Sequence, residues 1–151
     1  IVVNVLLYIT VGIEEELMFR SFVTECVLRK NSNIIVFASV YSGLLFGLAH
    51  ITNFIFDADM TMFNKWCTMI MACVFGFTLA VIFLKTKSIG AVITLHFLWD
   101  FADFMNHMMI VERYRYGGSY NALALQIPVL IVMLVIAVFC MYKRQMRLQS
   151  V

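Results

Sequence analysis

The sequence is short of charge and of the residues that make flexible linkers. Charged residues make up 13% of its 151 residues, and it contains one proline and seven glycines. Soluble domains carry about 25% charged residues. Because so few prolines and glycines leave little room for long linkers, we expect a single domain over residues 1–151. The formal net charge of +2 is too small to indicate a nucleic-acid partner.

The chain also lacks the cysteine spacing of a metal-binding ribbon and the opening of a signal peptide. Its cysteines, Cys26, Cys67, Cys73 and Cys140, show no C-x-x-C pattern, and we expect them to be free, buried and hydrophobic in character. A signal peptide opens with a basic stretch, whereas this chain starts at Ile1 within an apolar run. We therefore expect further membrane spans to precede residue 1.

What the chain does have is apolar sequence in long runs. Hydrophobic residues make up 63% of it, and the mean hydropathy is +0.93. A spanning helix needs about 20 mostly apolar residues. We predict an all-α, polytopic transmembrane bundle of five to six helices, in contact with membrane lipid in a cell membrane. The predicted spans are 34–51, 66–84, 89–109 and 125–142, with a fifth helix over 12–28 and the end of another span over 1–11.

Loop charges predict the orientation of these spans. If the spans alternate, seven basic residues fall on one side of the membrane and three on the other. The positive-inside rule puts the larger group in the cytoplasm. That group is Arg29, Lys30, Lys85, Lys87, Lys143, Arg144 and Arg147, and the other side holds Lys65, Arg113 and Arg115 with Asp57, Asp59 and Glu112.

Three charged residues stand at the start of the predicted helix 12–28. Glu16 and Arg20 are four residues apart and share a helix face, so they can pair. Glu15 is turned about 100° from Glu16, which leaves it free to act as a general base. The alternative is that these acidic residues have no catalytic role and only stabilise a helix N-terminus through the helix dipole.

Other ionisable residues lie within the predicted spans 34–51 and 89–109. His50 follows Phe46 by four residues at the end of one span. His96, Asp100, Asp103 and His107 form one polar stripe on the other, because their spacing of four, seven and eleven residues keeps them on one helix face. Such a stripe must face protein or a water-filled cavity, where it serves a reaction or a structural hydrogen-bond network.

Together these helices supply what peptide hydrolysis needs: a base for water and donors for the oxyanion. Glu15 with His50 can activate water, and His96 with Asp100 can stabilise the oxyanion, directly or by holding the imidazole tautomer. Glu15, His50 and His96 can instead bind zinc and leave one position for water. The residues leave the choice between a metal-free and a zinc mechanism open.

In this order the motifs resemble the CPBP family, which comprises CAAX proteases and bacteriocin-processing enzymes and is also called the Abi family. The family pattern is E-E-x-x-x-R, then F-x-x-x-H, then H-x-x-x-N/D. This sequence has Glu15-Glu16-x-x-x-Arg20, Phe46-x-x-x-His50 and His96-x-x-x-Asp100. The resemblance implies an intramembrane endopeptidase, glutamic or metallo, acting on a prenylated protein or on a bacteriocin or exported peptide.

The resemblance also implies residue roles. It assigns Glu15 and His50 to water, His96 and Asp100 to the oxyanion, and Arg20 to a structural pair with Glu16. Prenyl-protein enzymes usually have Asn at the position of Asp100. This departure shifts the expectation from eukaryotic-type CAAX processing toward the bacterial branch of the family, because an ionised Asp is a poor oxyanion donor.

The predicted orientation raises a question of access. At about 1.5 Å per residue, Glu15 lies about 21 Å from Arg29, whereas His96 lies about 13 Å from Lys87. Glu15 and His50 then sit toward the non-cytoplasmic side, although a protease of cytosolic prenylated tails should open to the cytoplasm. Tilted or broken helices, the opposite orientation, or a membrane or exported substrate would each account for this.

Two other classes of function fit the same residues. A non-catalytic immunity or scaffold protein that binds a peptide partner would use them as a structural polar core. A transporter or channel component would line a pathway with them. The ionisable residues form a compact set without an inverted repeat, which disfavours the transporter.

Overall fold

The computed structural model of the chain describes residues 2–30, 35–56 and 61–115, with a few positions between 128 and 135. Every element in those ranges is helical, which confirms the all-α prediction. The predicted span 125–142 lies almost wholly outside the described residues. The helices are α1 (Val2–Glu16), a π-helical segment (Leu17–Thr24), α2 (Glu25–Lys30), α3 (Ile35–Ala49), α4 (Thr52–Phe56), α5 (Met62–Thr86) and α6 (Ile89–Arg115).

Two helical stretches of the described residues are long and apolar enough to cross a membrane. They are Ile35–Phe56, which joins α3 to α4, and Met62–Thr86, which is α5. They correspond to the predicted spans 34–51 and 66–84. The predicted span 89–109 is helical as well and begins where expected, but α6 extends to Arg115.

The predicted boundary between a span over 1–11 and a helix over 12–28 is wrong. Helix continues without a break from Val2 to Lys30. Gly12 does not interrupt it, because α1 packs closely on α6 at this point. A Cβ atom on Gly12 would lie 3.8 Å from the Phe97 backbone nitrogen and 3.9 Å from the His96 Cβ. The three glutamates therefore lie in the middle of a long helix and not at a helix N-terminus.

Glycines allow α3 and α5 to pack closely. A Cβ on Gly43 would lie 2.6 Å from the Phe77 nitrogen and 2.7 Å from the Cys73 carbonyl oxygen, and one on Gly47 would meet the Cys73 sulfur. From the α5 side, a Cβ on Gly76 would lie 2.8 Å from the Phe46 Cβ. Gly43 and Gly47 form a G-x-x-x-G motif, the small-residue spacing that brings membrane helices together.

Local signals fix where α5 and α6 begin and end. The Thr61 hydroxyl accepts a hydrogen bond from the Asn64 backbone N–H at 3.3 Å, and the Ser88 hydroxyl accepts one from the Ala91 N–H at 3.2 Å. Lys87 adopts a left-handed conformation with φ of 56°, which ends α5 and turns the chain into α6. The turn is short, so α5 and α6 meet at the same end of the bundle.

The core is aromatic and aliphatic, but the outer surface is apolar as well. The buried cluster comprises Phe19, Phe46, Ala72, Phe75, Leu79, Phe83, Leu84 and Val92. On the outside, Phe22 is 68% exposed and Phe56 is 81% exposed. Such a surface suits contact with lipid.

The cysteine prediction holds only in part. Cys26, Cys67 and Cys73 are free, as expected, but Cys26 is exposed and the other two are half-buried. In a lipid-facing protein the surface is as apolar as the interior, so nothing forces a small apolar side chain inward. Cys140 lies outside the described residues.

Candidate active site

The site begins with a buried ion pair in the helix that runs from Val2 to Lys30. Glu16 and Arg20 are both fully buried, and Arg20 Nε lies 2.9 Å from Glu16 Oε2. Arg20 Nη2 donates a hydrogen bond to the Gly76 carbonyl oxygen of α5 at 3.3 Å, and the guanidinium lies 4.6 Å from the centre of the Phe46 ring of α3. The predicted pairing of Glu16 with Arg20 is therefore present. Through it, three helices meet around one guanidinium.

The π-helical segment carries Arg20 and is tied to α3. The carbonyl oxygen of Phe19 accepts hydrogen bonds from the Thr24 hydroxyl at 2.8 Å and from the Ser42 hydroxyl at 3.0 Å. Both hydroxyls are buried. Wide π-helical turns are rare and often lie at functional sites. Here the widened turn directly follows Glu15 and Glu16.

His96 of α6 lies at the centre of the site. It is 3% exposed, and its Nδ1 lies 2.7 Å from Glu16 Oε1. A carboxylate accepts hydrogen bonds only, so the imidazole donates from Nδ1. Glu16 therefore joins Arg20 on one oxygen and His96 on the other. Sequence reasoning missed this second contact because Glu16 and His96 are 80 residues apart and nothing local links them.

The other imidazole nitrogen faces two further carboxylates. His96 Nε2 lies 3.5 Å from Glu15 Oε2 and 3.6 Å from Asp100 Oδ2. These separations are longer than hydrogen bonds and leave room for adjustment around a bound group. The Glu15 side chain is 33% exposed and that of Asp100 is 22% exposed, so both carboxylates remain accessible.

His50 reaches the same place from the end of α3. Its Nδ1 lies 2.9 Å from the Phe46 carbonyl oxygen, and because a carbonyl only accepts, Nδ1 donates and Nε2 is left available in the neutral ring. His50 and Asp100 line the same cavity. The four-residue spacing from Phe46 to His50 thus allows this hydrogen bond, which orients the imidazole on its own helix.

A cavity of about 260 Å³ is lined by His50, His96 and Asp100. Of the predicted stripe on α6, His96, Asp100 and Asp103 line it, whereas the side chain of His107 lies outside the described residues. Sequence reasoning missed the α5 wall and the aromatic residues, which carry no ionisable group. The full lining is Phe46, His50, Thr68, Met71, Ala72, Phe75, His96, Trp99, Asp100 and Asp103.

The structure brings all six predicted residues into one neighbourhood. Of the expected pairs, His96 lies near Asp100, and Glu15 approaches His96 as well. Glu16 contacts the other nitrogen of His96 and holds the imidazole in place.

Among the described residues, no group of three or more His, Cys, Asp or Glu side chains is placed to hold a metal ion. In the alternative set of Glu15, His50 and His96, the Nδ1 of His96 is engaged by Glu16, and Nε2 is the nitrogen that faces Glu15.

The match to a family model agrees with this geometry. The model that describes the Rce1-like type II CAAX prenyl endopeptidases matches residues 1–102, which hold all six predicted site residues. No curated protein and no solved structure matches the chain. The match covers most of the chain, and it ends just after the H-x-x-x-D motif of α6. The chain therefore belongs to the Rce1-like family of type II CAAX prenyl endopeptidases, a membrane-embedded family of proteases.

Proposed function

We propose that this chain is an intramembrane endopeptidase that hydrolyses a peptide bond with water activated by Glu15 and His50. The observation that supports this most is the approach of three carboxylates to His96, at the wall of a cavity that His50 also lines. A buried imidazole among carboxylates, beside an accessible cavity, is a constellation suited to proton transfer.

Glu15 is the proposed general base. Glu16 is committed to Arg20 and His96, so Glu15 is the glutamate of the pair that remains accessible. It takes a proton from water while the oxygen attacks the carbonyl carbon of the substrate. His50 accepts a hydrogen bond from that water at Nε2, because its Nδ1 donates to the Phe46 carbonyl oxygen. When the C–N bond breaks, Glu15 returns the proton to the leaving amine.

His96 is the proposed oxyanion donor. Since Nδ1 donates to Glu16, the ring can donate from Nε2 only as the imidazolium. The carboxylates of Glu15, Glu16 and Asp100 can balance that positive charge. A donor fixed in this way before the reaction stabilises the oxyanion without reorganisation.

Asp100 is proposed to act on His96 and not on the substrate oxygen. An ionised carboxylate has no proton to donate to an oxyanion. Its distance of 3.6 Å from His96 Nε2 supports charge balance across the imidazole. The Asn that prenyl-protein enzymes usually have at this position would donate a hydrogen bond to the oxyanion. In this chain, which has Asp100 there, the oxyanion depends more on the hydrogen bond from His96.

The proposed mechanism needs no metal, and the substrate is a membrane-associated peptide. A prenylated protein tail and an unmodified bacteriocin or exported peptide are the two substrate forms to compare. In either form, the scissile bond enters the cavity between α3, α5 and α6.

The test is peptide cleavage by the chain in lipid vesicles. Wild type and His50→Ala are compared on a prenylated and an unmodified membrane-inserted peptide, with and without prior treatment with a metal chelator. We expect cleavage by wild type that survives the chelator, and a loss of at least about 10²-fold in kcat/KM in His50→Ala. Full activity in His50→Ala would overturn the role of His50, and activity lost with the chelator and regained with zinc would overturn the metal-free mechanism.

A non-catalytic immunity or scaffold role is the other outcome of this experiment. It is indicated if wild type cleaves neither peptide, yet a folded Glu15→Gln variant still protects cells from a peptide toxin. Protection that depends on Glu15 would instead favour the protease.

A further inference from the structure

A buried hydroxyl joins α3 to the helix that carries the glutamates, and the proposed hydrolysis does not use it. Ser42 is fully buried, and its hydroxyl donates a hydrogen bond to the Phe19 carbonyl oxygen at 3.0 Å. Phe19 belongs to the π-helical segment of the helix from Val2 to Lys30. The bond therefore links α3, which ends just before His50, to the helix that holds Glu15.

Ser39, one turn earlier on α3, shows that a buried serine here needs no partner on another helix. It is also fully buried, but its hydroxyl donates to the Ile35 carbonyl oxygen of α3 itself at 2.9 Å. Bonding back to the preceding turn is common for serines inside helices. The hydroxyl of Ser42 reaches across to the neighbouring helix instead, so its bond is a contact between helices and not a local one.

The Phe19 carbonyl oxygen does not depend on Ser42 for a partner. It also accepts a hydrogen bond from the Thr24 hydroxyl of its own helix at 2.8 Å. A buried carbonyl left without any donor would destabilise the fold. Because Thr24 supplies one, loss of the Ser42 hydroxyl breaks the link between the two helices and leaves no carbonyl unpaired at this point.

The neighbouring contacts between these two helices come from an aromatic ring of α3. The Phe46 ring lies edge-on to Phe19, with ring centres 5.2 Å apart, and its centre is 4.6 Å from the Arg20 guanidinium. Ring contacts of this kind act over several ångströms and tolerate a small slide of one helix along the other. A hydrogen bond weakens steeply when its geometry departs from the ideal. Ser42 is therefore placed to define the alignment of α3 along the neighbouring helix.

The directions of the two helices place the reacting pair on the same side of this bond. Residues 31–34 separate α2 from α3, and helices joined by so short a connection run antiparallel. Glu15 precedes Phe19 by four residues. His50 follows Ser42 by eight. In an antiparallel pair both steps lead in the same direction, by about 6 Å on one helix and about 12 Å on the other. A slide of α3 therefore moves His50 relative to Glu15 by the same amount.

From these contacts we infer that Ser42 is a positioning residue, whose bond to Phe19 sets where His50 stands relative to Glu15. The inference rests on the proposed function, since it concerns the pair that activates water. Ser42 does not line the cavity, so it acts through the placement of α3. A displacement of about 1 Å between reacting groups is enough to lower a rate by up to about a hundredfold.

The first measurement is a distance along the helices, which does not depend on catalysis. Spin labels are placed at Leu6 and Val36, which are 60% and 57% exposed, in a chain without its native cysteines. Counted from the Ser42 bond, these positions are 13 and six residues away in opposite directions, or about 28 Å apart along the helix axes. Pulsed electron paramagnetic resonance measures such a distance, and a slide of α3 changes it directly.

Ser39→Ala is the matched control for Ser42→Ala. It removes a buried hydroxyl from the same helix, three residues away, without breaking a bond between helices. For the second measurement, kcat and KM are determined for cleavage of a membrane-inserted peptide by wild type and both variants.

We expect Ser42→Ala to shift the mean distance between the labels by about 1 Å and to lower kcat by about tenfold, while KM stays within about twofold. The reason is that alignment of Glu15 with His50 affects the attack of water more than the binding of the peptide. Ser39→Ala should match wild type in both measurements.

An unchanged label distance in Ser42→Ala, or an equal shift in the two variants, overturns the inference whether or not the chain cleaves a peptide. A shifted distance with an unchanged kcat overturns it as well. If wild type cleaves no peptide while the distance still shifts in Ser42→Ala alone, the proposed function is overturned, but the placement of α3 by Ser42 stands.

Discussion

Glu16 is the residue on which the geometry of the site depends. Its two oxygens bind Arg20 at 2.9 Å and His96 at 2.7 Å, and all three side chains are almost completely buried. A buried charge is costly unless it is paired, so each partner stabilises the other two in their charged or hydrogen-bonded forms. The glutamate next to it in sequence, Glu15, remains 33% exposed, with its Oε2 3.5 Å from His96 Nε2.

Removal of one partner of the ion pair should destabilise the protein strongly. Glu16→Gln leaves the Arg20 guanidinium buried without its counter-charge, and we expect the free energy of unfolding to fall by about 3–5 kcal/mol. The measurement is denaturation in mixed detergent micelles. Glu14→Gln serves as control and should change stability by no more than about 0.5 kcal/mol, because Glu14 is exposed.

The double variant Glu16→Gln with Arg20→Met should lose less stability than the two single variants added together. Both charges are then absent, and the amide introduced at residue 16 can still form a hydrogen bond with His96. Strict additivity of the two losses would contradict an energetic coupling between Glu16 and Arg20.

At the scale of single residues, the sequence predicted contacts within one helix but not contacts between helices. The i,i+4 rule correctly predicted the Glu16–Arg20 pair and the common face of His96 and Asp100. It could not predict the bond between Glu16 and His96, which joins two helices distant in the chain. The α5 wall of Thr68, Met71 and Ala72 was also unpredictable, since these residues have no chemistry that distinguishes them from core residues.

At the scale of elements, close packing of α3 on α5 fixes His50 relative to the α5 wall of the cavity. Gly43, Gly47 and Gly76 let the two helices approach until the backbone of one lies against the side chains of the other. His50 follows directly after α3, and α5 forms a wall of the cavity. The distance between α3 and the α5 wall therefore depends on residues without functional groups.

Gly47→Ala should push α3 and α5 apart. A Cβ at residue 47 would meet the Cys73 sulfur and would lie 2.9 Å from the Cys73 nitrogen and from the Met69 carbonyl oxygen. We expect a loss of about 1–3 kcal/mol in stability, together with reduced cleavage activity.

The matched control for this substitution is Gly90→Ala, at the start of α6. There the nearest atom to a new Cβ is the Ser88 Oγ at 4.0 Å, so stability should be unchanged or slightly higher. Equal losses in the two alanine variants would contradict the explanation that Gly47→Ala acts through the packing of α3 on α5.

The helix from Val2 to Lys30 shows the limit of prediction at this scale. Three consecutive glutamates after Gly12 are typical of a helix N-terminus, and the sequence predicted one there. Tertiary contacts overrode this signal, because Glu16 pairs within the bundle and Gly12 packs on α6. The π-helical turn after Glu16 has no local signature either, since it depends on a hydroxyl from Ser42 of α3.

At the scale of the whole molecule, the contact between Glu15 and His96 concerns how far the site lies from the two membrane surfaces. Counted along the helices, these residues differ by about 8 Å in their distance from the predicted cytoplasmic ends. Their side chains nevertheless approach to 3.5 Å. The two helices therefore meet at unequal distances from their predicted cytoplasmic ends.

Labelling from the two sides of the membrane tests the predicted orientation. Ser88 lies in the turn between α5 and α6, and Thr61 lies at the opposite end of α5; both are exposed. In a chain without its native cysteines, we expect Ser88→Cys to react with an impermeant maleimide from the cytoplasmic side and Thr61→Cys from the other side. The reverse pattern would contradict the positive-inside orientation, and labelling of both from one side would contradict a membrane-spanning α5.

The measurement that tests the central claim most directly compares two neighbouring glutamates. Glu15→Gln and Glu14→Gln each replace one carboxylate by an amide of the same shape, on the same helix and one residue apart. Cleavage of a membrane-inserted peptide is followed for both variants, after equal folding has been established by circular dichroism and thermal denaturation. We predict that Glu15→Gln loses at least about 10²-fold in kcat/KM, as expected for a general base, while Glu14→Gln stays close to wild type. A Glu15→Gln variant that cleaves as fast as Glu14→Gln would contradict the claim that Glu15 activates the attacking water.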